Sequence, residues 1–207
     1  MLGRNGSGKS TLARVIAGLQ KPDSGRVRIA GVDVARDRRG ALEAVGILFQ
    51  NPDHQIIFPT VREELAFGLS QSGLTKPQVA QRVARTLAHF GKTDWADAAV
   101  HQLSQGQRQL VCLMAILAMQ PEVIVLDEPF AGLDIPTAMH LTRVLDAAEA
   151  ALVHITHDPR TVMGYDHALW IEAGAVVEQG AAPQVAQAYE AAMREVGARD
   201  DLADIAG

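Results

Sequence analysis

Apolar runs of strand length alternate along the chain with segments of helical periodicity. Residues 11–19 have a helical pattern, and residues 26–34 then alternate around a central glycine, as a short β-hairpin does. The remaining strand-length runs are 44–49, 123–126, 152–155, 168–172 and 176–179, and the remaining helical patterns are 61–69, 78–90, 104–119, 136–150 and a last one from Pro183. Because such alternation favours a mainly parallel sheet covered on both faces, we expect an α/β fold.

The helical stretch 52–112 interrupts this alternation. We therefore predict one domain, residues 1–207, with a core formed by 1–51 and 113–207 and a helical lobe inserted at 52–112. Thr60 and Glu63 have the spacing of a capping box, which predicts the first helix of the lobe.

Composition and charge exclude some classes of function. Hydrophobic residues make up 48% of the 207, which suffices for a core, and the net charge of −5 is the opposite of the basic footprint that nucleic-acid binding requires. The longest apolar run, 110–119, is shorter than the ~18 residues that span a bilayer. The single cysteine, Cys112, agrees with a reducing compartment. We expect a cytoplasmic protein with no nucleic-acid partner.

The start of the chain fits the phosphate-loop pattern G-x-x-x-x-G-K-[ST], with the sequence Gly3-Arg4-Asn5-Gly6-Ser7-Gly8-Lys9-Ser10. The glycines allow successive backbone N–H groups to turn toward one anion. Lys9 would then lie on the β- and γ-phosphates, and the Ser10 hydroxyl would ligate Mg²⁺. The helix that follows points its positive end at the same phosphates.

Polar side chains follow three of the apolar runs. Asp127, at the end of one run, suits a second Mg²⁺ contact, and Glu128 is placed to take a proton from water that attacks the γ-phosphate. Gln50 and His157 follow two other runs. By themselves they are ordinary strand-end residues, but beside a phosphate loop Gln50 is placed to sense Mg²⁺ and the lytic water, and His157 to hydrogen-bond the γ-phosphate.

A second anion-binding helix start is predicted at Leu103-Ser104-Gln105-Gly106-Gln107, which we call the signature segment. Ser104 is a favoured N-cap, and Gly106 leaves backbone N–H groups uncovered. Two such helix starts with one lysine-bearing loop suggest a composite site.

In this order the motifs resemble those of the ATP-binding-cassette (ABC) ATPases over almost the whole chain. The loop at 3–10 matches Walker A, Gln50 the Q-loop, 103–107 the signature, 123–128 Walker B, 131–134 the D-loop and His157 the switch histidine. Gln105 stands where glycine is usual. The resemblance implies a P-loop NTPase fold with a RecA-like core and an antiparallel β lobe, of which the hairpin 26–34 would be the remnant.

The resemblance also implies that two ABC ATPase chains, either two copies of this one or this one and a paralogue, sandwich two ATP molecules with Mg²⁺. The implied catalytic residues are Glu128, His157 and Gln50, and the metal ligands are Ser10, Gln50 and Asp127. Nucleotide contacts are implied for Gly3, Arg4, Asn5, Gly6, Ser7, Gly8, Lys9, Ser10 and Thr11 of one chain and for Ser104, Gly106, Gln107 and Asp134 across the dimer.

Residues 50–61 and 63–68 narrow the resemblance to the energy-coupling-factor (ECF) importers of vitamins and metal ions. In that group, residues 53–58, here called the partner segment, would contact an integral-membrane coupling subunit, which works with a substrate-binding membrane subunit. Asp53, His54 and Gln55 are the predicted contacts, and Phe58 fits either the interface or the core. Stretches 103–109 and 126–133 are most similar to biotin-importer ATPases, with cobalt- and nickel-importer ATPases next. This resemblance implies that the protein is a peripheral membrane protein on the cytoplasmic face of the plasma membrane.

One expected feature is missing: only Met1 and Leu2 precede the phosphate loop. ABC ATPases carry an antiparallel lobe with an adenine-stacking aromatic there, and then a strand that leads into the loop. We hypothesise that the natural chain starts about 25–35 residues earlier, which is room for several ~5–6-residue strands.

Two other classes share part of this pattern. A small-molecule or nucleotide kinase has a phosphate loop but no use for a second helix start that acts on another chain. A DNA-maintenance ABC ATPase has the same cassette, but such proteins usually insert long coiled coils or DNA-binding domains, and the acidic charge here opposes DNA binding.

Overall fold

The computed structural model describes residues 1–198. The helices are α1 (Lys9–Ile16), α2 (Arg38–Ala44), α3 (Val61–Gln71), α4 (Lys76–His89), α5 (Gln105–Met119), α6 (Ile135–Asp146) and α7 (Ala182–Ala198). The strands are β1 (Arg28–Ile29), β2 (Val32–Asp33), β3 (Val45–Leu48), β4 (Val123–Asp127), β5 (Ala151–Ile155), β6 (His167–Glu172) and β7 (Ala175–Ala181). Residues 199–207 of the predicted domain lie outside the described part.

The structure confirms the predicted α/β class, and it corrects two local predictions. Helix α2 was not predicted, because its polar start and Gly40 hide the pattern; Asp37 caps it by accepting a hydrogen bond from Gly40 N at 2.8 Å. Helix α6 ends at Asp146, whereas the pattern predicts a helix to Ala150. Residues 26–34 do form an antiparallel hairpin, with Ile29 paired to Val32.

The chain divides into two compact units. Within the described residues, the first comprises 1–13 and 154–198, and the second comprises 14–153. The predicted division into core and lobe at residues 52 and 112 stays a prediction.

Strands β3, β4 and β5 form a sheet in that order, and β3 and β4 lie in the second unit with the largely buried helix α5. Strands β3 and β4 are parallel, with Val45 paired to Val123 and Leu48 to Leu126. Four successive residues of α5, from Val111 to Met114, are 0% exposed. Apolar residues of α3, α4 and α6 pack into the same core as α5 and β4, which fixes the helix that follows the signature segment.

The first unit contains the antiparallel pair β6–β7 and the long helix α7. Leu2 is fully buried and forms parallel bridges to both Thr156 and Trp170. Its N–H donates to Leu169 O at 2.7 Å, and its carbonyl accepts from Ile171 N at 2.8 Å. The short segment before the phosphate loop is therefore held on both sides by backbone pairing.

Candidate nucleotide-binding site

The phosphate loop, residues 3–10, turns tightly between Leu2 and α1. Gly8 has φ +103°, a conformation that favours glycine. At Gly3 a Cβ atom would lie 2.2 Å from the carbonyl oxygen of Ile171, so no side chain fits there. Both glycines are therefore required by the path of the loop in the first unit.

Lys9 is buried, at 6% exposure, inside its own loop. Its Nζ donates to Gly3 O at 2.8 Å and to Arg4 O at 2.7 Å. Ser10 and Thr11, in the first turn of α1, are exposed. The loop thus holds its cation in the first turn of α1. A cation beside a helix N-terminus is an arrangement that binds phosphate.

His157 lies at the same sheet edge as this loop, within the first unit. Thr156 bridges Leu2 in parallel, so the chain leaves the two paired positions as Gly3 and as His157. The His157 side chain is exposed. Its neighbour Asp158 has a pKa lowered chiefly by hydrogen bonds from the Arg160 side chain, which keeps the carboxylate ionised beside His157.

Gln50, Asp127 and Glu128 lie together at one edge of the second unit. Leu48 and Leu126 are paired in parallel, and Gln50 and Glu128 each follow two residues later. Glu128 has φ +48°, a left-handed conformation that strains a non-glycine residue. Strain of this kind concentrates at functional sites, which agrees with the role predicted for Glu128.

Sequence reasoning missed Gln109, which links these two strand ends. It is 1% exposed, and its Nε2 donates to Phe49 O at 3.0 Å and to Pro129 O at 3.4 Å. The available signal was helical spacing, because Gln109 lies three and four residues before the core residues Cys112 and Leu113.

The signature segment forms an exposed helix start with a capping box. Ser104 Oγ accepts from Gln107 N at 3.3 Å, and Gln107 Oε1 accepts from Ser104 N at 2.8 Å, which completes a capping box. The Gln105 side chain is exposed. A Cβ at Gly106 would lie 2.6 Å from Thr137 Cγ2, so this glycine lets α5 pack closely on the start of α6.

Asp134 begins α6 as its N-cap. Its carboxylate accepts from Thr137 N at 2.8 Å, and hydrogen bonding by Thr137 lowers the Asp134 pKa. Asp134 is exposed, so its predicted role across a dimer is compatible with its role as a local cap.

Side-chain acceptors shape the partner segment. Glu64, buried on α3, accepts from Ile57 N and Phe58 N, both at 2.9 Å. Gln55 Oε1 accepts from Phe49 N at 3.1 Å, which ties the segment to the residue before Gln50. Asp53 Oδ1 lies 3.0 Å from Arg108 Nε of α5; the two form an ion pair, although the angle does not suit a hydrogen bond.

The same segment also carries exposed apolar surface. Ile57 is 69% exposed, and Phe67 of α3 is 41% exposed. Phe58 is half-buried, with its ring centroid 5.1 Å from that of Phe67. His54, in the same segment, is also exposed. Ile57 and Phe67 therefore join the predicted contacts as surface that sequence reasoning did not single out.

Two other features of the second unit lie apart from these residues. A cavity of about 900 Å³ is lined by the C-terminal ends of α4, α5 and α6 and by none of the predicted site residues. Burial raises the pKa of the Cys112 thiol to about 12, so it is inert in the core. Among residues 1–198, no group of three or more His, Cys, Asp or Glu residues could hold a metal ion.

The ABC transporter family model matches residues 1–131, which include the phosphate loop, Gln50, the signature segment and the Asp127–Glu128 strand end. This chain belongs to the ABC transporter family. The match excludes the kinase alternative and shows that the chain is an ATP-binding ATPase domain. In residues 1–198, no helix has the length and apolar character needed to cross a membrane.

Relatives of known assignment narrow the group within the family. The chain is 52% identical over 194 residues to the biotin transport ATP-binding protein BioM of Rhodobacter capsulatus, covering 94% of this chain and 83% of that protein. It is 39% identical over 192 residues to the energy-coupling factor transporter ATP-binding protein EcfA of Methanocaldococcus jannaschii, covering 89% and 69%.

Solved structures give the same fold. The chain matches cbiO1 from Clostridium perfringens, part of the ABC transporter complex cbiONQ, with TM-score 0.75, 33% identity and coverage of 96% of this chain and 82% of that one. The resemblance to the ECF group and the expected P-loop fold are confirmed by these likenesses.

Proposed function

We propose that this chain is the ATP-hydrolysing motor subunit of an ECF-type importer whose cargo is biotin. The observation that carries the proposal is the ordered set of ABC motifs in a chain 52% identical, over most of both lengths, to a biotin transport ATP-binding protein. A cobalt or nickel ion is the alternative cargo, and the uptake experiment below distinguishes the two.

In this proposal ATP is bound with Mg²⁺ by two copies of the cassette. The proposal assigns Mg²⁺ to the Ser10 hydroxyl, the Gln50 amide and the Asp127 carboxylate, because Mg²⁺ prefers oxygen donors such as these. The bound ion would neutralise phosphate charge. Lys9 and the N–H groups of α1 hold the phosphates, Glu128 accepts the proton of the attacking water, and His157 donates to the γ-phosphate.

The second chain supplies the rest of the site. Ser104, Gly106 and Gln107 of that chain would face the nucleotide held by the phosphate loop of the first, and Asp134 would communicate across the same contact. Phosphoryl transfer depends on positioning and charge neutralisation, so hydrolysis would wait for the dimer to close.

The partner segment would transmit the closure of the dimer to an integral-membrane coupling subunit. That subunit would in turn act on a substrate-binding membrane subunit. Asp53, His54, Gln55 and Phe58 are the proposed contacts, with Ile57 and Phe67 adding apolar surface of the kind that a partner helix covers. The chain would then sit peripherally on the cytoplasmic face of the plasma membrane.

A Glu128→Gln substitution tests the catalytic assignment. We expect ATP hydrolysis by the purified chain to fall about 10²–10⁴-fold while ATP binding persists, because the amide cannot take the proton. Glu122→Gln is the matched control, since Glu122 is exposed and directly precedes the same strand. Equal hydrolysis by both variants would contradict the role of Glu128.

Uptake by a strain that lacks this chain tests the cargo. Complementation with the unaltered chain should restore uptake of labelled biotin, and complementation with the Glu128→Gln variant should not. Restored uptake of cobalt or nickel ions without biotin would replace biotin by a metal cargo.

Mixing variants tests the shared site. Ser104→Arg and Lys9→Ala chains should each be inactive, and a mixture should regain part of the activity, because one site of a mixed dimer keeps both intact halves. No recovery in demonstrated mixed dimers would argue against a composite site.

A further inference from the structure

Gln109 occupies a position between the two strand ends that carry the proposed catalytic residues. It lies on α5, five residues after Ser104, and is almost completely buried. Its two amide hydrogen bonds go to Phe49 O, one residue before Gln50, and to Pro129 O, one residue after Glu128. One side chain therefore bridges both catalytic segments of the second unit.

The chemistry of this bridge requires an uncharged side chain with two donors. Glutamine has both on Nε2, whereas methionine and ionised glutamate have none and arginine or lysine would bury a charge. Gln109 Oε1 is buried and accepts no hydrogen bond from the described residues. An unpaired buried acceptor is unfavourable, so the two hydrogen bonds donated by Gln109 come with a cost in stability.

Phe49 is held on both sides of its backbone. Its carbonyl accepts from Gln109 of α5, and its N–H donates to Gln55 of the partner segment. Phe49, which precedes Gln50, is thus connected by one hydrogen bond to α5 and by another to the partner segment.

We propose that Gln109 is a positioning residue that sets the spacing between Gln50 and Glu128 and makes it depend on the orientation of α5. The inference rests on the proposed function, in which the start of α5 contacts the nucleotide of a second chain. Movement of that helix start would then be transmitted through Gln109 to both strand ends.

The test compares Gln109→Met with Leu113→Val. Methionine keeps the volume of glutamine but has no donor, and Leu113, one turn later on α5 and fully buried, provides a control for core disturbance on the same helix. We expect Gln109→Met to lower kcat about 10–100-fold with KM for ATP within twofold, because catalytic groups are displaced while the phosphate loop is untouched. Leu113→Val should lower the melting temperature and leave kcat within twofold.

Hydrogen exchange supplies a readout that is independent of hydrolysis. With Gln109→Met, peptides covering residues 46–58 and 124–132 should both exchange faster, and with Leu113→Val neither should change selectively. If the unaltered chain hydrolyses ATP and Gln109→Met keeps its kcat, the positioning role is wrong and the proposed function stands. If the unaltered chain shows no hydrolysis, the proposed function fails, and unchanged exchange in both peptides would also overturn the bridge.

Discussion

The chain contains two predicted anion-binding helix starts, and they are built differently. At α1 the glycine loop encloses Lys9, whose amine donates to two carbonyls of the loop. At α5 the side chains of Ser104 and Gln107 are exposed and complete a capping box. Arg108, the first cation of α5, is directed instead to Leu103 O and Asp53.

This difference indicates how the two helix starts divide the work. The first combines a fixed cation with a helix N-terminus, so it can hold phosphates by itself. The second offers hydroxyl and backbone groups without an aimed cation, so it completes a site whose ligand is held elsewhere. Substitutions at the two helix starts test this division of work.

Lys9→Ala should weaken ATP binding roughly 10- to 100-fold, because a charge-assisted hydrogen bond to phosphate is lost. Titration of the purified chain with a fluorescent ATP analogue measures this. Lys21→Ala removes the same charge from an exposed turn and should bind as the unaltered chain does. Equal affinities for both variants would remove the distinction between the two helix starts.

Ser104→Ala should leave ATP binding unchanged and reduce turnover about 2- to 10-fold, the range expected for one neutral hydrogen bond. Loss of the N-cap should also lower the free energy of unfolding by about 1 kcal/mol. Asp37→Ala, which removes the N-cap of α2, should cost similar stability without slowing turnover. A change in ATP affinity with Ser104→Ala would contradict the division of work.

Asp134→Asn should make the folding stability fall less steeply as the pH is lowered. The folded-state pKa of Asp134 is lowered by its hydrogen bonds with Thr137, so its stabilising effect is present above the ordinary value of 3.8 and is lost as the pH falls through the lowered pKa. Melting temperatures between pH 5 and pH 2 follow this. Asp146→Asn, at the other end of α6, is the charge-matched control; identical curves for both variants would show that the charge of Asp134 does not stabilise the fold.

Cys112 should not react with a thiol reagent in the folded chain, which is the smallest effect of the four. Its pKa is raised to about 12 by burial, so reactive thiolate is absent at neutral pH, and the reagent has no access to it. Reaction should appear only with urea-induced unfolding. Rapid labelling of the native chain would mean that α5 is accessible well beyond its first turn.

Local patterns made much of this molecule predictable. The capping box at Ser104 and Gln107 and the cap of α3 by Thr60 follow from residues three positions apart, and both are present. The strands that end at Leu48 and Asp127 are short apolar runs, so their existence and the polar residues after them are readable from sequence. The failure at α2 has the same basis, because Gly40 and the polar start interrupt the apolar periodicity of a helix whose Ala41 and Ala44 are buried.

The motifs, their order, the helix caps and hence the family of this chain can be read from its sequence, since these depend on residue type and short spacing. The pairing of Leu2 with Thr156 and Trp170 and the bridge from Gln109 to Phe49 and Pro129 arise only in the folded chain. Those contacts join residues up to 168 positions apart (Leu2 to Trp170). Their partners are fixed by strand register and by the burial of α5, which no local pattern encodes.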